Sequence, residues 1–167
     1  MKHRFLKKAG VHASVLLITG MALSRVMRIA IASGHSMEPS IRHLQPLVID
    51  CRPKRRQSLK RGDLIAFRLR RKGQPRIFLK RVVGLPGDRV EIRGRSVYLN
   101  GRRYQESYLK ELPRWSKRQE WQLGEGELFV LGDNRNNSLD SRKLGPIPIK
   151  KDVIGAIVRR SHQDASS

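Results

Sequence analysis

Two residues of this sequence, a serine and a lysine, could together carry out nucleophilic chemistry. Ser36 lies in the segment SGHSMEPS, residues 33–40, where Gly34 and Pro39 predict a sharp turn because glycine tolerates positive φ and proline fixes φ. A serine hydroxyl is a poor nucleophile until a base within hydrogen-bond reach accepts its proton. An exposed serine in a Gly/Pro turn is more often ordinary loop chemistry, so the turn alone does not identify a nucleophile.

Lys80 is the candidate base. Residues 77–83 predict a strand, in which alternation places Lys80 beside Phe78 and Val82 on one face, while Arg81 points away. Burial among apolar side chains disfavours the charged ammonium and can lower the pKa of a lysine by up to about 3 to 5 units. A neutral Lys80 would then accept the serine proton. A lysine in a strand of an arginine-rich chain is otherwise a solvated side chain, and the pattern leaves that alternative open.

The other reactive side chains give weaker patterns. A Ser/His/Asp hydrolase would need His35 or His43 beside Ser36, and the sequence contains no G-x-S-x-G motif. Cys51 is the single cysteine, so it cannot form an intramolecular disulfide, and we expect it to be a small half-buried hydrophobe. No histidine stands at metal-ligand spacing. We therefore expect no metal and no cofactor.

Short apolar runs separated by Gly and Pro turns must position these residues. The segments that predict strands are residues 46–50, 63–69, 77–83, 89–92, 96–99, 128–131 and 153–158. Asn100-Gly101 is a strong hairpin signal. Many short strands with frequent turns indicate a mostly β domain, an antiparallel β-sandwich or distorted barrel.

The amino-terminal segment predicts a membrane anchor. A basic start is followed by an apolar run at residues 9–23, which reaches the length of a bilayer span only if it continues to residue 32. Arg25 and Arg28 would then have to extend their guanidinium groups to the interface. Two alternatives stay open: a signal peptide cleaved after Ala30-Ile31-Ala32, and a buried helix of a soluble core.

The net charge of +22 indicates attraction to a polyanion, either nucleic acid or an anionic membrane surface. No helix-turn-helix, zinc-finger or aromatic RNA-binding signature is present, and only 5% of residues are aromatic. A basic nucleic-acid-binding protein without enzymatic activity remains the alternative from another class. Trp115 and Trp121 stand among cations, which suits either a lipid headgroup layer or the edge of a core.

Four segments, read in order, carry a family resemblance. They are SGHSMEPS, GDLIAFR from Gly62, FLKRVVGLPGD from Phe78 and GDNRNNSLDSR from Gly132. They resemble the four conserved boxes of the type I signal peptidases, which are membrane serine proteases with a Ser/Lys dyad. The likeness extends from Ser33 to about residue 157. It implies an all-β protease domain that cleaves signal peptides from exported preproteins after small-x-small motifs.

The resemblance also implies a role for each motif residue. Ser36 is the nucleophile and Lys80 the general base, while Ser138 would hydrogen-bond the lysine and orient it. Asp140 and Arg142 would pair and hold their loop. Asp133 and Asn134 would build the turn. Met37, Phe78 and Leu79 stand beside the two dyad residues in the sequence and are candidates for lining the substrate pockets, with plain core packing as the alternative.

Two departures from the family pattern are visible. Position 34 is Gly where some members carry a serine that helps the oxyanion hole, so we expect the hole to depend on the backbone N–H of Ser36. Position 136 is Asn where an aspartate is common. Any charge-dependent role at that position is therefore in doubt.

Topology and partners follow from the resemblance as expectations, since basic residues on both sides of the anchor give no clear orientation. The protein would be a single-pass protein of the plasma (inner) membrane, with its amino end cytoplasmic and its catalytic domain extracytoplasmic. Expected partners are preprotein signal peptides and anionic membrane lipids, with no specific nucleic acid, and the protein would be a monomer.

A dedicated maturase of conjugative pilin is a second possibility within the resemblance. The predicted cytoplasmic tail, anchor, catalytic domain and final tail are residues 1–8, 9–32, 33–160 and 161–167.

Overall fold

The computed structural model describes residues 26–71, 73–109, 111–115 and 117–158. Within these residues the chain forms eleven strands and three short helices. In order they are β1 Met27–Ile31, β2 Pro46–Asp50, α1 Pro53–Gln57, β3 Leu64–Arg71, β4 Gln74–Gly84, β5 Arg89–Arg93, β6 Ser96–Leu99, β7 Arg102–Arg103, β8 Gln119–Gln122, β9 Glu127–Leu131, α2 Ser141–Leu144, β10 Ile147–Pro148, α3 Ile149–Asp152 and β11 Val153–Ile157.

The strands form two antiparallel sheets. The larger has the order β1-β2-β11-β3-β4-β9-β10 and the smaller has the order β7-β6-β5-β8. Val83 and Phe129 of the larger sheet pack in one buried cluster with Val90 and Ile92 of the smaller. The mostly β, antiparallel class predicted from the sequence is confirmed. Each of the seven predicted strands forms, and β1, β7, β8 and β10 are additional.

The β3–β4 hairpin carries the candidate base. Its register runs from Leu64 opposite Arg81 to Arg71 opposite Gln74. The hairpin is longer than the sequence predicts, because its charged tip pairs through the backbone and needs no apolar side chains. Ile65 lies directly opposite Lys80 and is fully buried, so the lysine enters the protein on an apolar face.

A second buried cluster supports the serine turn. Met37 and Ile41, each 3% exposed, pack there with Ile49 of β2 and Ala66 of β3. Burial of one such aliphatic side chain contributes roughly 1.5–3 kcal/mol. The turn is thereby fixed to the large sheet on both sides of its exposed loop.

The anchor predicted for residues 9–32 is wrong at its carboxyl end. Met27–Ile31 form β1, which pairs with β2 from Met27 opposite Asp50 to Ile31 opposite Pro46. Ala32 is 2% exposed and belongs to the core, so cleavage after it would remove an edge strand. β-branched residues at alternate positions favour the strand that forms here. No helix among residues 26–158 that are described has the length and apolarity to span a bilayer.

The remaining part of the predicted anchor, residues 9–25, lies outside the described residues, as do the predicted tails at 1–8 and 161–167. The β domain includes β1 from Met27, ahead of the predicted boundary at residue 33.

Candidate active site

The turn that contains Ser36 is closed by hydrogen bonds at its base. Ala32 N–H donates to Gln45 O and Leu44 N–H donates to Ala32 O, both at 2.9 Å. Gly34 has a φ of +96°, which favours glycine, and its N–H donates to His43 Nδ1 at 3.0 Å. The side chain of Ser36 is consequently half-exposed above a rigid base.

Lys80 and Ser36 are in contact. Lys80 Nζ donates to Ser36 Oγ at 2.8 Å and to Leu79 O at 2.7 Å. The lysine is only 2% exposed, although its amine reaches the side of the half-exposed serine. In the neutral form of the amine the same contact can reverse, with the serine hydroxyl donating to the nitrogen lone pair.

Burial lowers the pKa of Lys80 from 10.5 to about 8. The negative charges of Asp140 and Asp133 act in the opposite direction, and the positive charge of Arg142 lowers the pKa further. Burial is the largest of these effects because the ammonium has lost its hydration. About a tenth of the amine is therefore neutral at pH 7.

Strand alternation at Lys80 is as predicted. Val82 belongs to a buried cluster against which half-buried Phe78 packs, and Lys80 Nζ lies 5.9 Å from the centroid of the Phe78 ring. Arg81 points to the other face, where it is buried as well.

Arg81 is a supporting residue that the sequence reasoning missed. Its guanidinium donates to Asp133 Oδ1 at 2.8 Å and Oδ2 at 2.6 Å, and also to Gly62 O and Ser40 Oγ, both at 2.9 Å. This network joins all four sequence motifs. Its partners are far apart along the chain, so no local pattern indicates the network.

The loop at residues 132–140 holds the serine turn from the other side. Asn134 N–H donates to Ser36 O at 3.0 Å. A Cβ atom added at Gly132 would lie 2.2 Å from Ser138 Oγ and 2.6 Å from Ser36 O. Only glycine fits there, which explains the close approach of this loop to the nucleophile.

Asp140 and Arg142 form the predicted pair. Arg142 Nε donates to Asp140 Oδ1 and Arg142 Nη2 donates to Asp140 Oδ2, both at 2.7 Å. Asp140 Oδ2 also accepts from Gly132 N–H at 3.1 Å. Arg142 further donates to Arg135 O at 2.8 Å, so the pair connects both ends of the loop.

A segment between the sheets covers this loop, and the sequence reasoning did not assign it to the site. Buried Arg135 pairs with Glu106, with Nη1 to Oε2 at 2.9 Å, and the Arg142 guanidinium lies 4.0 Å from the Trp115 ring centroid. Trp115 and Trp121 both pack against the cluster between the sheets. Of the two alternatives for these rings, the structure favours the edge of the core.

The hydrogen bond predicted from Ser138 to Lys80 is not formed. Ser138 Oγ is buried beside Gly132 and has no hydrogen-bond partner among the described residues. The amine turns instead to Leu79 O, which provides the second acceptor that the sequence had assigned to Ser138.

The dyad opens into a groove of about 550 Å³. The three predicted pocket residues, Met37, Phe78 and Leu79, line it. β1 pairs only with β2, and residues 74–80 of β4 pair only with β3 within the described part of the chain. Two strand edges therefore border the groove with free backbone donors and acceptors. Ser36 N–H has no acceptor among the described residues and is free to bind an oxyanion.

The titratable side chains of the site do not form a metal centre. Within the described ranges, no group of three or more His, Cys, Asp or Glu side chains is placed to ligate a metal.

The chain matches known proteins along most of its length. The family model described as "Signal peptidase, peptidase S26" matches residues 5–161, a range that contains Ser36, Lys80 and all the described strands. Signal peptidase I U of Bacillus subtilis (strain 168) is 35% identical over 130 residues, which cover 73% of this chain and 68% of that protein. Signal peptidase I V of the same organism is 32% identical over 171 residues, covering 94% and 98%.

A solved structure agrees with these matches. The crystal structure of a signal peptidase I from Enterococcus faecalis V583 aligns with a TM-score of 0.51 at 32% identity. The alignment covers 60% of this chain and 97% of that chain.

Proposed function

We propose that this chain, which belongs to the signal peptidase family, peptidase S26, cleaves signal peptides with Ser36 as nucleophile and Lys80 as general base. As a member of that family the chain is a hydrolase, an endopeptidase that acts on signal peptides. The single observation that carries the assignment of the dyad is the 2.8 Å contact between Lys80 Nζ and Ser36 Oγ.

The proposed reaction begins with neutral Lys80, which takes the proton of Ser36 as its oxygen attacks the scissile carbonyl carbon. The backbone N–H of Ser36 stabilises the oxyanion that develops. The protonated lysine then gives its proton to the leaving amine, and an acyl-enzyme ester on Ser36 remains. A water molecule, deprotonated by Lys80, hydrolyses that ester and regenerates the hydroxyl.

The groove fits an extended substrate segment. A peptide between the free edges of β1 and β4 would add as a strand through backbone hydrogen bonds. Met37, Phe78 and Leu79 would contact its side chains. Ala30, Ala32 and Gly34 also line the groove, and a peptide with small residues before the scissile bond would pack closely against that wall.

The membrane location is part of the proposal. We expect residues 9–25, which contain the apolar run 9–23, to supply an anchor near the lower length limit of about 17 residues for a spanning helix. The β domain would lie on the extracytoplasmic side, where exported preproteins emerge. Protease treatment of inverted vesicles should leave the β domain intact, and its digestion there would contradict the orientation.

Processing of a labelled preprotein by the detergent-solubilised full chain tests the dyad. Ser36→Ala and Lys80→Ala should each abolish cleavage while their circular dichroism spectra stay unchanged. Ser138→Ala should retain most of the activity, because its hydroxyl has no partner among the described residues. Full activity of either dyad variant would refute the assignment.

A dedicated pilin maturase would use the same site, so geometry does not separate it from a general enzyme. A panel of unrelated preproteins does. Cleavage of several of them indicates a general signal peptidase, whereas cleavage of a single pilin-like substrate indicates the maturase.

A further inference from the structure

A second cavity, separate from the groove, lies between β1, α1, β3 and α3. Its volume is about 260 Å³. The charged side chains that line it are Arg28, Arg56, Arg68, Lys151 and Asp152. Four cations and one carboxylate give this small space a net charge of +3. Cys51, the only cysteine of the chain, also lines it.

The cations of this cavity outnumber its carboxylates by four to one. None of the four forms an ion pair with a carboxylate of the described residues. Arg56 donates from Nη1 to Val153 O at 3.3 Å, while its Nε is buried without a partner in that same part of the chain. A buried guanidinium N–H without an acceptor is costly, and an anion in the cavity could supply one.

Another cavity of the same chain shows that this imbalance is not a general result of the high charge. There, Arg52 pairs with Asp50 at 2.6 Å and Arg55 pairs with Asp63 at 2.9 Å. Its two cations are thus balanced by two carboxylates from its own lining. The cavity at Cys51 has instead one carboxylate for four cations.

The position of the cavity indicates the source of the anion. Cys51 N–H donates to Val26 O at 2.7 Å, so the cavity adjoins the point where the chain arrives from its apolar run at residues 9–23. Arg28 follows Val26 by two residues, a rise of about 7 Å in a strand. A bilayer headgroup layer is about 5 to 7 Å thick on each side.

We propose that this cavity binds the phosphate group of an anionic lipid headgroup. The guanidinium groups of Arg28, Arg56 and Arg68 offer planar sets of donors that match phosphate oxygens, and Lys151 adds a point charge. The bound lipid would hold the β domain against the membrane surface at the base of its anchor. This site is independent of the dyad and does not require the proposed catalytic function.

Cys51 provides a reporter inside the cavity. The test uses the full chain with Ser36→Ala, so that proteolysis cannot alter the sample, in nanodiscs of phosphatidylcholine with or without phosphatidylglycerol. The measurement is the rate at which N-ethylmaleimide alkylates the single thiol. A headgroup in the cavity blocks the thiol and neutralises the nearby guanidinium groups, so alkylation should be slower in the anionic discs.

Two double variants separate the cavity from general surface charge. Arg28→Gln with Arg68→Gln removes two cavity cations, neither of which donates a hydrogen bond within the described residues. Arg102→Gln with Arg103→Gln removes the same charge from exposed positions in β7. Each basic residue near the surface contributes roughly fivefold to the affinity for an anionic membrane. Because the cavity variant loses two such residues, it should need about thirtyfold more phosphatidylglycerol than the control for half-protection of the thiol.

The outcomes decide both the site and the source. The proposal is supported if anionic discs protect Cys51 from alkylation in the control variant and no longer do so in the cavity variant. Additional protection by inorganic phosphate in detergent is compatible with this result. Equal protection of the two variants overturns it. Protection by inorganic phosphate or by a short DNA oligonucleotide, with none from phosphatidylglycerol discs, overturns the assignment to a lipid headgroup.

Discussion

The buried amine of Lys80 should determine the acid limb of the pH–rate profile. Burial, assisted by the positive charge of Arg142, holds the pKa of this amine at about 8. The negative charges of Asp140 and Asp133 act in the opposite direction, because they favour the charged form of the amine. Because the neutral amine alone can accept the Ser36 proton, kcat/KM should rise as the pH passes through this value.

The expected size of the rise follows from this pKa. With a value of about 8, roughly a tenth of the amine is neutral at pH 7 and about nine tenths at pH 9, so the rate should rise about tenfold. At the ordinary value of 10.5 the neutral fraction at pH 7 would be smaller by a factor of about 300. Burial of the lysine therefore accounts for most of the activity at neutral pH.

Phe78→Ala perturbs the burial directly, since its ring lies 5.9 Å from Lys80 Nζ. Water admitted by the truncation should raise the pKa and move the limb to higher pH. Ile77→Ala is the matched control, because Ile77 is 60% exposed and lies on the opposite face. The assay is initial cleavage of a labelled preprotein below KM across pH. A limb centred near 10.5 in the unmodified enzyme, or one that Phe78→Ala leaves in place, would refute this reasoning.

Three further perturbations test the supporting structure. Lys80→Met should raise the free energy of unfolding at pH 7 by up to about 3 kcal/mol, because it removes a buried charge. This gain should disappear as the pH rises from 8 to 10.5. In that range the wild-type lysine is neutral in the native state and still protonated in the unfolded state, so the stability of the wild type increases with pH. Asp133→Asn should cost about 3 to 5 kcal/mol in denaturant unfolding, because it leaves the buried charge of Arg81 unpaired. Gly132→Ala should lower kcat about 100-fold by displacing the Ser36 backbone, whose carbonyl oxygen would lie 2.6 Å from the new methyl group.

Matched controls accompany these variants. Glu120→Gln removes the exposed partner of Arg89 and should leave the free energy of unfolding nearly unchanged, because solvent screens this ion pair. Gly124→Ala meets only a flexible Glu127 carboxylate at 3.2 Å and should leave kcat unchanged. If Asp133→Asn cost no more than Glu120→Gln, or if the two glycine variants had equal activity, the network around the loop would not have the role inferred here.

The fold was predictable to the extent that side-chain pattern determines it. Alternation and turn residues predicted seven of the eleven described strands, because half-buried strands need apolar residues at every second position. β1 was missed because Met27–Ile31 continues an apolar run and reads as the end of a helix. Only its pairing with β2, made by residues distant in sequence, selects the strand.

The candidate site shows the same division. Ser36 and Lys80 could be chosen from their motifs, and the alternation around Lys80 correctly indicated apolar surroundings. The partners of Arg81 and Arg135 could not be chosen from the sequence. Asp133 and Glu106 are distant from them along the chain and come into contact with them only when the chain folds. Ser138 was assigned a hydrogen bond by resemblance, and the actual acceptor, a main-chain carbonyl, carries no sequence signal.

Direct titration of the Lys80 amine tests the central claim, that a buried neutral lysine activates the serine. The measurement is the NMR chemical shift of ¹³Cε-labelled lysine across pH, with the Lys80 signal assigned by its absence in Lys80→Arg. A midpoint near 8 is the expected result. A midpoint at the ordinary lysine value of about 10.4 would contradict the claim, because almost no neutral amine would then face Ser36 at neutral pH.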